Sequence, residues 1–217
     1  MPGLAVMGAR RPPAKDTLFA RNVRDFCDRS HQKSYPETGF KTRTVNAMQC
    51  CLFPTELGWS AAIWSNSSLK ELKIGHLTPA AALRGLSGFL EPTSPSRAAQ
   101  RLIVRLQQFA EGTGDDDFLD VELDTRHLTD FGCAVTARCR QIAAGTTMSY
   151  GELATTAGYP GAARAVGSVM RRNRWPLIVP CHRVVAAGGH LGGFSAPNGL
   201  EMKRRLLNQE GSELATV

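Results

Sequence analysis

Pro180-Cys181-His182-Arg183 sets a thiol beside an imidazole inside the apolar run "PLIVPCHRVV". Only the thiolate of cysteine is strongly nucleophilic, and a nearby base or positive charge raises its population. The pair also has a purely structural reading. Free cysteine is among the most buried residue types, and the flanking run reads as a buried strand with a kink. The Cys-His dipeptide alone does not separate a nucleophile from core packing. The elements around it do.

Just upstream, Ser149-Tyr150-Gly151-Glu152 has the form of a capping box, a helix start in which serine and glutamate each satisfy the other's backbone donor. The helix it opens stops near Gly158, a residue that tolerates the left-handed conformation, and Pro160 suits the first position of the next helix. That next helix, "GAARAVGSVMRR", is lined with small residues: Ala162, Ala163, Ala165, Gly167 and Ser168. Small side chains allow close approach to another surface. One long cation, Arg164, projects from this patch, and Arg171, Arg172 and Arg174 crowd its far end, where cations suit the helix dipole. A helix-turn-helix beside a basic cluster reads as a nucleic-acid surface. A tightly packed Ala-Gly helix with solvated arginines on its rim is the alternative.

The segments "SYGELA", "AARAVGSVM", "RNRWPLIVPCHRVV", "GGFS" and "LLNQEG" decide between these readings. In order and near-spacing, residues 129–217 resemble the C-terminal domain of the O6-alkylguanine-DNA alkyltransferases, also called methylated-DNA–protein-cysteine methyltransferases. The resemblance implies a mostly helical catalytic domain with a winged helix-turn-helix, preceded by an α/β domain of ribonuclease-H-like type. It implies direct, single-turnover transfer of a methyl or larger alkyl group from O6 of guanine, and from O4 of thymine, to the protein's own cysteine.

Residue by residue, the resemblance makes Cys181 the acceptor, His182 the base acting through a water, and Glu210 the group that orients the imidazole. Outside the family, Glu210 would be an ordinary helix-end carboxylate, on a helix predicted to open at Asn198 with Glu201 three residues on and to close at Gly211. Tyr150 matches the tyrosine that hydrogen-bonds the departing guanine. Arg164 matches the finger that fills the stack when the base is extruded, with a phosphate contact as the plainer alternative. Ala162, Ala163, Ala165, Gly167 and Arg171 share its DNA-facing helix. Asn173 matches the residue tying that helix to the acceptor segment. Met170, Pro176, Val184, Gly192, Phe194 and Ser195 fall at pocket positions, with the Val184 backbone and Ser195 reading the purine edge. Phe194 stands where some members have tyrosine, and "SAPNG" is a slightly longer loop than in some relatives. The implied partner is duplex DNA carrying O6-alkylguanine, with no membrane, no cofactor and a monomeric protein in the cytoplasm.

Charge follows the same division. The net charge is +7, but residues 1–48 carry nine Lys/Arg against four Asp/Glu, residues 49–128 seven against ten, and residues 129–217 ten against five. The basic excess therefore includes the segment predicted to meet phosphates. No run reaches the eighteen apolar residues of a membrane span. Six cysteines stand at 27, 50, 51, 133, 139 and 181, without a Cys-x-x-Cys pair. They read as reduced thiols, with Cys133 and Cys139 packing in a helix. Some family members hold a structural zinc in the N-terminal domain. Ser65 and Lys70 stand at two of those positions here, and neither can ligate zinc as it stands, so no metal is expected.

Residues 1–48 are rich in Arg, Pro, Ser and Thr and read as a disordered basic extension, with Met48 a candidate start. Residues 49–128 read as a small α/β domain. Two strands join through Asn66-Ser67-Ser68, Thr78-Pro79 opens a short helix, and Ser94-Pro95 opens a longer one. The longer helix carries Leu102, Ile103, Leu106 and Phe109 on one face and ends at Gly112. "FLDVELD" alternates as a one-sided strand. Three other functions fit parts of the sequence. A damage-sensing relative would lack Cys181. A Cys-His hydrolase would leave the arginine-rich helix without a role. A transcription regulator would read one DNA sequence strongly.

Overall fold

The computed structural model describes residues 26–27, 48–88 and 91–212. The basic extension expected over residues 1–48 therefore falls almost wholly outside the described residues.

The first half is built on an antiparallel sheet of order β1-β2-β3: β1 (Met48–Thr55), β2 (Gly58–Ser65) and β3 (Ser68–His76). Two strands were expected here, and there are three. The additional turn is made at Glu56-Leu57. There Thr55 Oγ1 accepts from the Leu57 amide at 3.2 Å and donates to the Gly58 carbonyl at 2.8 Å. The Asn66 turn falls where expected, with φ +55, a conformation asparagine tolerates. Helix α1 (Pro79–Arg84) is capped by Thr78. Helix α2 (Arg97–Glu111) starts two residues later than Ser94-Pro95 suggested, because Ser96 supplies the cap to Ala99. It ends on left-handed Gly112. Its face of Leu102, Ile103, Leu106 and Phe109 is buried in one cluster with Phe53, Leu72 and Ile74.

"FLDVELD" does not form the strand its alternation predicts. A single parallel bridge, Leu69 to Leu123, is all that pairs. Phe118 takes φ +51, and Arg140 reaches across from the second half to bond the Phe118 carbonyl at 2.6 Å and the Val121 carbonyl at 3.1 Å. Asp120, on the polar face of the expected strand, instead grips Arg105 together with Asp116 just before it.

The second half runs α3 (Asp130–Cys139), β4 (Met148–Ser149), α4 (Tyr150–Thr156), α5 (Ala163–Arg171), β5 (Val184–Val185) and α6 (Gly199–Gln209). The capping box on α4 forms as predicted, and Gly158 follows in the left-handed region. Pro160 does not open α5. The helix begins three residues later with Ala162 at its cap and no side chain bonding there, so Pro160 shapes the turn instead. "PLIVPCHRVV" is buried but is not a long strand. Leu177 takes φ +73, Cys181–Arg183 is a single 3-10 turn, and only Val184–Val185 pairs, in parallel with β4. Pro176 and Pro180 cannot donate to a ladder, which interrupts it.

The reduced state expected of all six cysteines is overturned at one pair. Cys27 is disulfide-bonded to Cys133 of α3, while Cys50, Cys51, Cys139 and Cys181 are free buried thiols. The neighbouring Phe26 packs against the core beneath the Arg140 guanidinium, 5.6 Å from its ring centre. This contact brings residues far apart in sequence together, which no local pattern signals. Among the described residues no helix is long and apolar enough to cross a membrane, and no three His, Cys, Asp or Glu side chains are grouped to hold a metal.

Candidate active site

Cys181 begins the 3-10 turn that ends the apolar run, and it is buried. Pro180 before it and the Cys181 carbonyl accepting from Val184 N–H after it fix the turn. Asn173 donates its amide to Cys181 Sγ at 3.2 Å and to the Val179 carbonyl at 2.8 Å. Burial pushes the thiol above its ordinary range, opposed by the Asn173 hydrogen bond and the nearby Lys203 charge. At rest this sulfur is protonated, and its use as a nucleophile calls for a base.

His182 supplies a candidate. Its Nε2 lies 2.9 Å from Glu210 Oε1, and the ring is fully buried. A carboxylate accepts, so Nε2 carries the proton and Nδ1 presents a lone pair. Nδ1 has no hydrogen-bond partner among the described residues. Burial holds the imidazole below its ordinary titration range despite Glu210, so the ring is neutral and basic at neutral pH. Glu210 sits at the C-cap of α6, as its place in "LLNQEG" suggested, with left-handed Gly211 after it. The start of that helix differs from expectation. Asn198 itself takes φ +63, and its side chain makes no cap.

Sequence reasoning missed Arg183 and Lys203. Arg183 grips Glu210 through Nε at 3.0 Å and Nη2 at 2.8 Å, and donates Nη1 to the Ile142 carbonyl at 2.6 Å. The two partners hold the Glu210 carboxyl down at about 2 despite burial. Glu210 is therefore a fixed charge shared between a buried cation and the imidazole. Lys203 is wholly buried, donates to the Val184 carbonyl at 2.6 Å, and is pulled down to about 8 by desolvation. An arginine after Cys-His and a lysine in a helix face both read as surface in the sequence. Only the apolar neighbours of Lys203, Met202 and Leu206, hinted otherwise.

Tyr150 opens α4 over the same site. Its ring crosses Gly167 of α5 and Gly192. A Cβ on Gly192 would come within 3.1 Å of the Tyr150 hydroxyl, and on Gly167 within 4.0 Å of the ring. Gly192, at φ +64, is required for both conformation and space. Burial, and then Cys181, push the phenol up, so it remains a donor.

A cleft of about 880 Å³ opens beside Cys181, and Met170, Asn173, Pro176, Phe194 and Ser195 line it, as the sequence grouped them. Val184 and Gly192 are not on its wall. Val184 is buried, its amide bonded to the Cys181 carbonyl and its carbonyl to Lys203. The Ser195 hydroxyl donates to the Arg171 carbonyl at 3.1 Å, tying the loop to the end of α5. On α5, Arg164, Ala165 and Arg171 are exposed, while Ala162, Ala163 and Gly167 are half-buried.

A buried cysteine held by an asparagine, backed by a His-Glu pair and opening beside a helix that presents small residues and arginines, defines a thiol group-transfer protein that meets an extended polyanion. Comparison with known proteins sharpens this. Residues 130–212 match the family described as 6-O-methylguanine DNA methyltransferase, DNA binding domain. The chain is 34% identical over 132 residues to the methylated-DNA–protein-cysteine methyltransferase of Methanothermobacter thermautotrophicus, covering 61% of this chain and 72% of that one. It is 50% identical over 93 residues to the Mycobacterium tuberculosis protein of the same name, covering 43% of this chain and 54% of that one. The fold resembles the crystal structure of Mycobacterium tuberculosis OGT in complex with DNA at a TM-score of 0.59 and 33% identity, over 75% of this chain and 92% of that one. The chain belongs to the methylated-DNA–protein-cysteine methyltransferases, DNA-repair proteins in which a protein cysteine takes the methyl group.

Proposed function

We propose that this chain removes a methyl or larger alkyl group from O6 of guanine, and from O4 of thymine, in duplex DNA, and does so once per molecule. The observation that carries the reading is the set of contacts around one sulfur: Asn173 on Cys181 Sγ, and beside it a neutral His182 held by Glu210.

In the proposed step, Cys181 Sγ forms a bond to the alkyl carbon as the bond from that carbon to O6 breaks. The thiol proton passes through a water to His182 Nδ1, and the imidazolium is stabilised by the ionised Glu210. The guanine leaves with the electron pair of the broken bond. The Tyr150 hydroxyl, kept protonated by burial, donates to it as negative charge develops, which lowers the barrier. The hydroxyl or amide of Ser195, on the cleft wall, would read the purine edge, while Val184, buried with its backbone bonded to Cys181 and Lys203, stands back from it. The product is a thioether, which has no cheap return to a thiol, so turnover stops at one.

Reaching a base inside a duplex requires extruding it. Residues 129–217 would dock as a winged helix-turn-helix in the minor groove, whose degenerate code suits scanning without sequence preference. Exposed Arg164 would fill the stack. Residues 49–128, acidic on balance, form the ribonuclease-H-like domain and stay off the DNA.

The test is stoichiometry. With excess duplex carrying O6-methylguanine, repaired guanine should plateau at one per protein molecule. A plateau well above one would contradict the reading, and so would the same repair by Cys181→Ser.

A further inference from the structure

Trp175 lies in the loop between α5 and the acceptor, yet only 2% of it is exposed. Its indole Nε1 donates to the Leu69 carbonyl of β3 at 2.8 Å, across 106 positions of sequence. The same Leu69 carbonyl also accepts from the Asp124 amide, at 2.9 Å. The backbone beside it is fixed too, since the Leu72 amide donates to the Arg174 carbonyl at 2.8 Å. The His127 ring lies tilted against the indole at 5.3 Å between centres. Residues 174–175 are thus bonded to the N-terminal sheet through both backbone and side chain.

From there the contacts run inward. The Trp175 amide donates to Asn173 Oδ1 at 2.9 Å, and the Trp175 carbonyl accepts from the Val179 amide at 2.8 Å. An asparagine side chain has one accepting end and one donating end. With the accepting end held by Trp175, the donating end faces the Val179 carbonyl and Cys181 Sγ. The direction of the only side-chain donor bonded to the sulfur among the described residues is therefore set by where Trp175 sits, and Trp175 sits where β3 holds it.

We infer that Trp175 is a positioning residue for alkyl transfer, through which the N-terminal sheet aims the Asn173 amide at the acceptor sulfur. The inference rests on Cys181 being the acceptor. It gives the first domain a role in the chemistry without any contact with DNA.

Trp175→Phe keeps an aromatic ring and removes the indole donor. Leu69 is not left without a partner, because the Asp124 amide still bonds it. The readout is the rate of Cys181 alkylation by iodoacetamide against pH, mapped by peptide mass, which needs no DNA. In Trp175→Phe the rise of that rate should move to higher pH. At a fixed neutral pH it should be roughly tenfold slower, the order expected when a hydrogen bond to a charged group is misaligned. Asn173→Ala should produce the same displacement, and the double variant should add nothing to it. Affinity for unmodified duplex should not change. An unmoved pH profile in folded Trp175→Phe, or additive displacements, would overturn the inference. Should Trp175→Phe not fold, the wild-type indole N–H resonance, assigned through Trp59→Phe and Trp64→Phe, must shift when Cys181 is carboxamidomethylated. A resonance that stays put would equally overturn it. Failure of the wild-type protein to take a methyl from DNA would instead sink the functional reading, leaving the relay intact.

Discussion

Cys181 is protonated at rest because its burial outweighs the Asn173 amide, the Lys203 charge and the backbone hydrogen bonds at residues 181 and 182 that favour its thiolate. Its reactivity must then follow the state of His182. That imidazole is pushed below the ordinary histidine value of about 6.5 by burial, so it stays neutral down to pH values where an exposed histidine is half charged. The rate of alkyl transfer should lose its acid limb's proton-dependent share below pH 6.5, not at it, and His182→Gln should remove the limb along with most of the rate. A midpoint above 6.5 in a single-turnover pH profile would count against His182 as the base. The same shift has a consequence for folding. The unfolded chain takes up the His182 proton first, so the stability this residue contributes is present above pH 6.5 and is lost as pH falls through the lower folded value. Glu210 behaves alike over a lower window, with its contribution intact above 4.5 and lost as pH falls toward 2. Of these residues, Cys181, His182, Tyr150, Asn173 and Glu210 were readable from motif and resemblance. Arg183 and Lys203 were not, because a charged side chain looks the same in sequence whether solvated or buried against a carboxylate and a carbonyl.

Helix starts were readable where a cap is a local matter of two or three residue types, as at Thr78 and Ser149. Ser149 and Glu152 satisfy each other's backbone donors at 2.8 and 3.2 Å, as their spacing required. "FLDVELD" fails for the opposite reason. Its alternation is genuine, but Arg140 and Arg105, distant in sequence, claim its carbonyls and carboxylates first. Pro160 and Asn198 misled because each is compatible with more than one turn. Helix α5 carries the element-scale prediction. Arg164 stands exposed near its start, facing away from the core. Arg164→Ala should slow repair of a duplex by at least tenfold while leaving transfer from free O6-benzylguanine nearly unchanged, since a free base needs no extrusion. Equal losses on both substrates would place Arg164 in the pocket's structure instead.

Across the whole molecule, the two halves share one buried apolar cluster, and specific polar contacts tie them further. Trp175 and Arg174 bond β3, Arg140 bonds the segment from Phe118 to Val121, and the Gln209 amide bonds the Phe109 carbonyl. The disulfide adds a covalent tie, linking Cys27 to Cys133 over a separation of 106 residues. Residues 1–47 lie in the extension that reads as disordered in sequence, yet Cys27 is bonded to α3 and Phe26 packs against the core. Deleting residues 1–47 should therefore lower Tm, by the equivalent of about 2–5 kcal/mol if loop closure in the unfolded chain dominates. The transfer rate on saturating DNA should remain within a few-fold, since neither residue reaches the cleft. An unchanged Tm, or a non-reducing peptide map without the Cys27–Cys133 pair, would contradict the tie.

The account depends most on one sulfur accepting one alkyl group. The protein should be incubated with duplex carrying O6-methylguanine, digested, and every cysteine peptide weighed. Cys181 is 7% exposed and flanked by buried Val179 and Val184, so indiscriminate reactivity would not select it. The account predicts one methyl in place of one hydrogen on the Cys181 peptide alone, none on Cys50, Cys51 or Cys139, and none anywhere in Cys181→Ser, which still binds the duplex. A methyl group on any other cysteine, or free methanol released over repeated turnovers with Cys181 unmodified, would contradict it.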